Sequence, residues 1–255
     1  FGAALATVLA QVLSALYCCY YIGREKNLIP KKTDWKPQSV IIKRLTLKGL
    51  PVAVMNSVTA VGGMVLQTFV NNMGTSYVAA YAACTKILSL FEQPANTVGL
   101  ALLTFVGQNY GAGKMDRVHK GVRTCMGITA GATVLLSVIL YNYASICYQL
   151  FTTDAQVVVI GEQILHFLVP TYFTYIAIEI LSGTLRGIGD SWLPMIICCL
   201  GICALRVVWI LTAVPLKNDI LTIVFSYPLT WTVTSIAFIV YYLFFSRLKI
   251  VGRKR

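Results

Sequence analysis

Charge is scarce along this chain, and negative charge scarcest of all. Nine Asp and Glu residues and two His are spread over 255 residues, and charged side chains make up only 12% of the total. Soluble domains carry about twice that share, so a water-solvated globular enzyme or binding module is excluded. His119 lies in a basic stretch, and His166 lies in an apolar run away from any Cys or Asp. No clustered nucleophile, metal-ligand set or acid–base pair stands at an interface, so the chain does not read as an enzyme. The eight cysteines, Cys18, Cys19, Cys84, Cys125, Cys147, Cys198, Cys199 and Cys203, sit in or beside apolar runs, and none has metal-ligand spacing. They read as small apolar packing residues. No cofactor is implied.

What fills the chain instead is apolar sequence, at 57% of residues. A membrane-spanning helix needs about 20 mostly apolar residues. Seven stretches qualify, near 1–22, 46–71, 78–108, 124–149, 156–183, 192–214 and 220–245. The expected fold is therefore all-α, a polytopic membrane helical bundle. Of the 21 Lys and Arg residues, 18 fall at Arg24 to Lys48, Lys114 to Arg123, Arg186, and Arg247 to Arg255, leaving only Lys86, Arg206 and Lys217 elsewhere. By the positive-inside rule every second loop, and the C-terminus, is cytoplasmic. The net charge of +12 is then a topology signal, and nucleic acid is not an expected partner.

The chain opens at Phe1 inside an apolar run, without the basic residues that precede a signal-peptide core. It is expected to be the C-terminal part of a longer polytopic chain. Residues 1–23 form a first helix and 24–44 a basic cytoplasmic linker, placed near anionic lipid headgroups. Residues 45–246 form a compact six-helix unit, and 247–255 a basic cytoplasmic tail. Loops are expected at Asn72 to Tyr77, Gly107 to Arg123, Leu150 to Ala155, Leu185 to Trp192 and Pro215 to Asp219. Within the second of these, Gly107-Gln-Asn-Tyr-Gly-Ala-Gly-Lys114 imitates a nucleotide-binding loop. Gln108 occupies the position where that loop needs glycine, and Met115 follows the lysine where Ser or Thr is required. A glycine helix stop with a basic turn accounts for these residues.

Lys86, Glu92, Glu179 and Arg206 stand out as ionisable residues inside spans. At central positions each costs at least ~2.5 kcal/mol to insert, so each needs a partner or a wet cavity. Glu92 sits mid-span in Phe91-Glu-Gln-Pro-Ala-Asn-Thr97. Pro94 cannot donate to the Leu90 carbonyl, so a kink and a free carbonyl are expected beside the carboxylate. That is what a coupling-ion site needs; a kink whose polar neighbours satisfy one another is the alternative. Three polar stripes recur at helical spacing: Asn56, Thr59, Gly63 and Gln67; Tyr172, Tyr175, Glu179 and Ser182; and Tyr227, Thr230, Trp231 and Thr234. Stripes of this kind either glue helices together at ~1 kcal/mol per contact or share a cavity. Gly62 and Gly63 suit close packing. Arg206 is placed to neutralise an acid across the bundle, Lys86 to snorkel, and Arg186 to pair locally with Glu179.

Six segments carry a family resemblance: Gly49-Leu-Pro51, Ala79-Ala-Tyr-Ala-Ala83, Phe105-Val-Gly-Gln-Asn-Tyr-Gly-Ala-Gly-Lys114, Leu185-Arg-Gly-Ile-Gly-Asp-Ser-Trp-Leu-Pro194, Arg206-Val-Val-Trp209 and Ser226-Tyr-Pro-Leu-Thr-Trp231. In this order, over about 45–246, they resemble the MATE (multidrug and toxic compound extrusion) family. The resemblance implies a twelve-helix transporter of two six-helix lobes. This chain would be helix six, the linker and the C-terminal lobe, with the N-terminal lobe as its missing partner. It implies antiport: inward Na⁺ or H⁺ flow drives export of cationic or amphipathic small molecules while the lobes rock. An acid that the sodium-coupled branch has in its seventh helix falls near Thr59 here. One in its tenth helix falls near Tyr175, a turn before Glu179, and the first-helix acid of a related branch lies outside this sequence.

The candidate ion-coupling acids are Glu92 and Glu179, with Na⁺ or H⁺ as the ion and a Na⁺ site near either acid. The cavity or network candidates are Asn56, Gln67, Lys86, Asn96, Tyr175 and Arg206. The expected location is a bacterial inner membrane, in contact with its lipids. The competing functions are a flippase for lipid-linked saccharides, which would favour a strongly cationic cavity, and a non-transporting scaffold.

Overall fold

A computed structural model describes residues 2–24 and 36–244. Among them only helices and turns occur: α1 (Gly2–Arg24), α2 (Ser39–Asn71), α3 (Thr75–Gly111), α4 (Met115–Asn142), α5 (Ala144–Gln149), α6 (Ala155–Leu168), α7 (Phe173–Gly187), α8 (Trp192–Cys198), α9 (Leu205–Ala213), α10 (Ile220–Val224) and α11 (Ser226–Phe244). The chain divides into two units, 1–47 and 48–255. The first contains α1, apolar and exposed along its length. The second contains the bundle and everything that follows. Most of the expected linker, and the tail 247–255, lie outside the described residues, but α2 already starts at Ser39, inside the segment read as linker.

Among the described residues five helical segments are long and apolar enough to cross a membrane: Ala4–Arg24, Ser39–Asn71, Met115–Asn142, Trp192–Ala213 and Ile220–Phe244. The pair α6–α7, bent by 54°, makes a sixth. This multi-pass arrangement agrees with the expected fold class, though α3, the third of the seven expected spans, is not among the six. Lys86, Glu92, Gln93, Asn96, Gln108 and Asn109 dilute its hydropathy. It packs against α4, α6 and α7, burying Tyr81, Cys84, Leu88, Leu102 and Val106, so much of its surface meets protein rather than lipid. Large apolar side chains elsewhere, such as Leu135, Leu200 and Leu211, face outward as a bilayer demands.

Chain breaks follow local chemistry. Gly74, Gly113 and Gly189 adopt φ of 108°, 71° and 83°, in the turns after α2, α3 and α7. At Gly113 the Lys114 N–H reaches Asn109 O (2.8 Å) and the Gly113 N–H reaches Tyr110 O (3.0 Å). The same pair of bonds, Asp190 N–H to Leu185 O and Gly189 N–H to Arg186 O, closes α7. Both are Schellman stops, in which a left-handed glycine lets the last carbonyls be satisfied. The phosphate-loop look-alike is thus a helix end. The expected loop Gly107 to Arg123 shrinks to 112–114, because α3 runs to Gly111 and α4 starts at Met115. The expected span 124–149 breaks at Tyr143, and 156–183 breaks at the 3-10 turn Val169–Thr171, where Pro170 interrupts the helix. A π-helical turn, Cys199–Ala204, joins α8 to α9.

The tightest backbone-to-backbone contact made at a glycine among the described residues joins α3 and α7. A Cβ at Gly183 would lie 2.6 Å from Gly99 O, and one at Gly187 would lie 2.8 Å from Leu103 O. Gly183 and Gly187 form a Gly-x-x-x-Gly pair, the spacing that lets membrane helices touch backbone to backbone. Gly62 packs on Cys203, whereas Gly63 meets nothing within 4 Å. Gly183→Ala in the full chain is therefore expected to destabilise the fold by about 1–3 kcal/mol through overpacking. Gly63→Ala should be neutral or slightly stabilising, since alanine favours a helix over glycine. Thermal unfolding in detergent checks this, and equal effects at both positions would contradict it.

Candidate functional site

Helices α2, α3, α7, α8, α9 and α11, with the turn between α8 and α9, line a partly open cavity of about 450 Å³. Met55, Asn56 and Thr59 face it from α2, and Asn96 and Leu100 from α3. Tyr175, Glu179, Ser182 and Arg186 face it from α7, Cys198, Ile202 and Arg206 from the 192–213 span, and Tyr227 and Trp231 from α11. One carboxylate and two guanidinium groups thus share its walls.

The α3–α7 contact sets where Glu179 stands. A Cβ at Gly99 would lie 3.2 Å from Glu179 O and 3.5 Å from Glu179 Oε2, so only a glycine leaves this close approach unstrained. Four residues earlier on the same face, the Tyr175 hydroxyl donates to Glu179 Oε1 at 2.6 Å. Tyr172, at the bend before α7, donates its hydroxyl to Glu92 Oε1 of α3. The Tyr172 and Tyr175 rings lie 5.7 Å apart, and both pack against Trp231, at 4.7 and 5.5 Å. Phe91 closes over Tyr172 at 4.6 Å. Each acid is therefore held by one tyrosine of a shared aromatic cluster.

Arg206 is only 4% exposed. Its Nη2 donates to Thr230 Oγ1 at 3.3 Å, and its guanidinium carbon lies 4.3 Å from the centre of the Tyr227 ring. The Tyr227 hydroxyl is held in turn by Tyr81 at 2.7 Å. Glu92, Glu179 and Arg206 have no oppositely charged partner at ion-pair distance among the described residues. The expected neutralisation of an acid by Arg206 does not occur: that side chain is taken up by Thr230 and Tyr227. Arg186 does not pair with Glu179 either, its Nε donating to Ser182 O at 3.3 Å.

Of the candidates read from sequence, Asn56, Asn96, Tyr175, Glu179 and Arg206 converge on the cavity. Glu92 stands outside its lining, connected to it through Tyr172, and Pro94 lies within α3 two residues further on. Gln67 is turned to Asn71 of the next turn, at 2.8 Å, and Lys86 is exposed away from the cavity. Arg186, read from sequence as a cytoplasmic residue and a local partner for Glu179, lines the site without pairing with that acid. Trp231 and Tyr227 were visible as members of a stripe, but nothing in their spacing assigned them a cavity. Among the described residues no group of three or more His, Cys, Asp or Glu side chains comes together to hold a metal.

The MatE family model matches residues 51–214, which contain most of these walls. The chain belongs to the MatE family. Among curated proteins it is 24% identical over 260 residues to the probable multidrug resistance protein YoeA of Bacillus subtilis, a match covering 99% of this chain and 56% of that protein. It is 27% identical over 203 residues to the probable multidrug resistance protein NorM of Thermotoga maritima, covering 77% of this chain and 42% of the relative. The chain spans about half the length of the curated relatives it matches. A solved structure of a multidrug resistance MATE family transporter, in an outward-facing conformation, superposes with a TM-score of 0.86 at 18% identity. That superposition covers 99% of this chain and 57% of the other, and it establishes the shared fold. Residues 45–246, read as resembling this family, contain the whole matched region.

The Tyr175–Glu179 bond has a measurable signature in this MatE bundle. Tyr175→Phe and Glu179→Leu should each destabilise the full chain, and the double variant should lose about 1 kcal/mol less than the sum of the two. Chemical or thermal denaturation of all four proteins measures this, and strict additivity would show that the bond contributes nothing.

Proposed function

We propose that this chain is the C-terminal lobe of a secondary antiporter that exports small cationic or amphipathic molecules in exchange for Na⁺ or H⁺. In this reading the cavity is the lobe's share of the substrate path, facing a second lobe beside it in the bilayer. The basic residues Lys48, Lys114, Arg117, Lys120, Arg123 and Arg186 all fall at one end of the bundle. The positive-inside rule then makes that end cytoplasmic, with the C-terminus on the same side. A bacterial inner membrane suits both this asymmetry and the bacterial relatives.

The observation that carries the proposal is an unpaired acid in the cavity wall. A carboxylate within a membrane protein is costly unless something compensates it. Glu179 has a tyrosine hydroxyl and, among the described residues, no cation at ion-pair distance. Such an acid is available to an exchangeable ion, H⁺ or Na⁺, in a way that a salt-bridged acid is not. Glu92 is held similarly behind Tyr172 and is the second coupling candidate. Asn56 and Asn96 supply neutral oxygens on the same walls. A substrate that displaces the ion, and an ion that displaces the substrate, would make opposite movements interdependent.

The test is efflux of a fluorescent cation from everted vesicles under an imposed pH or Na⁺ gradient. Glu179→Gln is expected to reduce gradient-driven efflux at least tenfold, and Glu92→Gln to reduce it less. Undiminished ion-dependent efflux by the double variant would remove both acids from coupling while leaving the fold untouched.

A further inference from the structure

Arg206 is a buried cation in this cavity that the coupling scheme does not use. Its guanidinium presents five N–H donors and cannot shed its charge. Thr230 accepts one of them, and Nε is buried with no acceptor. A buried donor without a partner costs about 1–3 kcal/mol, and more when it belongs to a charged group. The chain holds the side chain in place nonetheless. Tyr227 covers one face of the guanidinium, and the Tyr81 hydroxyl fixes the Tyr227 ring. Arg206 also lines the cavity, where Arg186 makes the guanidinium count two against the single carboxylate of Glu179.

The geometry points to an oxyanion subsite at Arg206: the cavity takes an aromatic or otherwise flat apolar ligand bearing a carboxylate or phosphate group, and that group completes the guanidinium. An oxyanion supplies both the missing countercharge and the missing acceptors, and pairs with a guanidinium fork through two parallel bonds. The amides of Asn56 and Asn96 offer further donors from the facing helices. Trp231, 5.3 Å from Tyr227 and 5.5 Å from Tyr175, provides an apolar wall for the ligand body. The opposite charges of Glu179 and Arg206 then divide the work, one taking the exchanged cation and the other the anionic end of the cargo. This inference rests on the transport reading for the cavity's role, but not for its binding chemistry.

Equilibrium binding separates the two, because it needs no gradient. The full chain in nanodiscs of neutral lipid would be titrated with 2-naphthoate and, in parallel, with 2-naphthylmethylammonium, which has the same ring and the opposite charge. The wild-type protein is expected to bind naphthoate. Arg206→Gln should weaken that binding at least tenfold, about 1.4 kcal/mol, without weakening the ammonium ligand. Arg206→Lys, which keeps the charge and loses the fork, should fall between, and serves if the glutamine variant does not fold. Repeating the titration with anionic phospholipid in the nanodisc identifies the source of the group. Competition would mean that a lipid phosphate occupies the subsite, and no competition that a soluble ligand does. Naphthoate binding that is absent from the wild type, or that Arg206→Gln leaves unchanged, would overturn the proposal. So would an equal loss of both naphthalene ligands.

Discussion

The backbone contact between α3 and α7 is the constraint on which the rest of the bundle depends. With Gly99 under Gly183 and Leu103 under Gly187, the two helix backbones approach closer than any side chain would allow. In a bilayer there is no hydrophobic gain from bringing apolar helices together, so packing of this kind and interhelical hydrogen bonds do the associating. The contact also places the Glu179 backbone and carboxylate directly against α3. From there Tyr175 holds one acid and Tyr172 the other, and Trp231 of α11 braces both rings. Helix packing, acid placement and the shape of the cavity are consequences of one another.

Polar groups inside a membrane protein are expensive, and this bundle spends them in two ways. Tyr148, Tyr81 and Trp209 are satisfied by chain partners, namely Ala80 O, the Tyr227 hydroxyl and Thr222 O. They act as struts. Glu92, Glu179 and Arg206 are held by neutral partners, with no countercharge at ion-pair distance among the described residues. Ionisable groups kept for structure alone are expected to pair with one another at short range, so three of them without an ion pair around one aromatic cluster fit the exchange reading proposed above.

Much of this was legible in the chain itself. The apolar spans, the two glycine stops and the Tyr175–Glu179 pair follow from helical period and turn chemistry, which are local. Asn56, Asn96 and Arg206 followed from the cost of polar groups in apolar runs. What escaped was tertiary. Glu92 was read as an ion-coupling acid, and Tyr172, at the bend before α7, holds it outside the cavity lining through a bond that no spacing announces. Gln67 has the right face for the cavity yet finds Asn71 one turn away. The Gly183–Gly187 pair and Pro170 were signals in plain view, obscured by the apolar run around them. The π-helical turn at 199–204 has no comparable sequence signature; Gly201 there admits Thr234, whose Oγ1 would lie 2.3 Å from a Cβ.

The account's central claim is that Glu179 exchanges a cation at the cavity wall. Infrared difference spectroscopy of the full chain with isotope-labelled glutamate tests it directly, by following the carboxyl bands as Na⁺ or pH is changed. The account predicts an ion-dependent shift in a glutamate carboxyl band that Glu179→Gln removes. A shift that persists unchanged in that variant would place the exchanging acid elsewhere and contradict the claim.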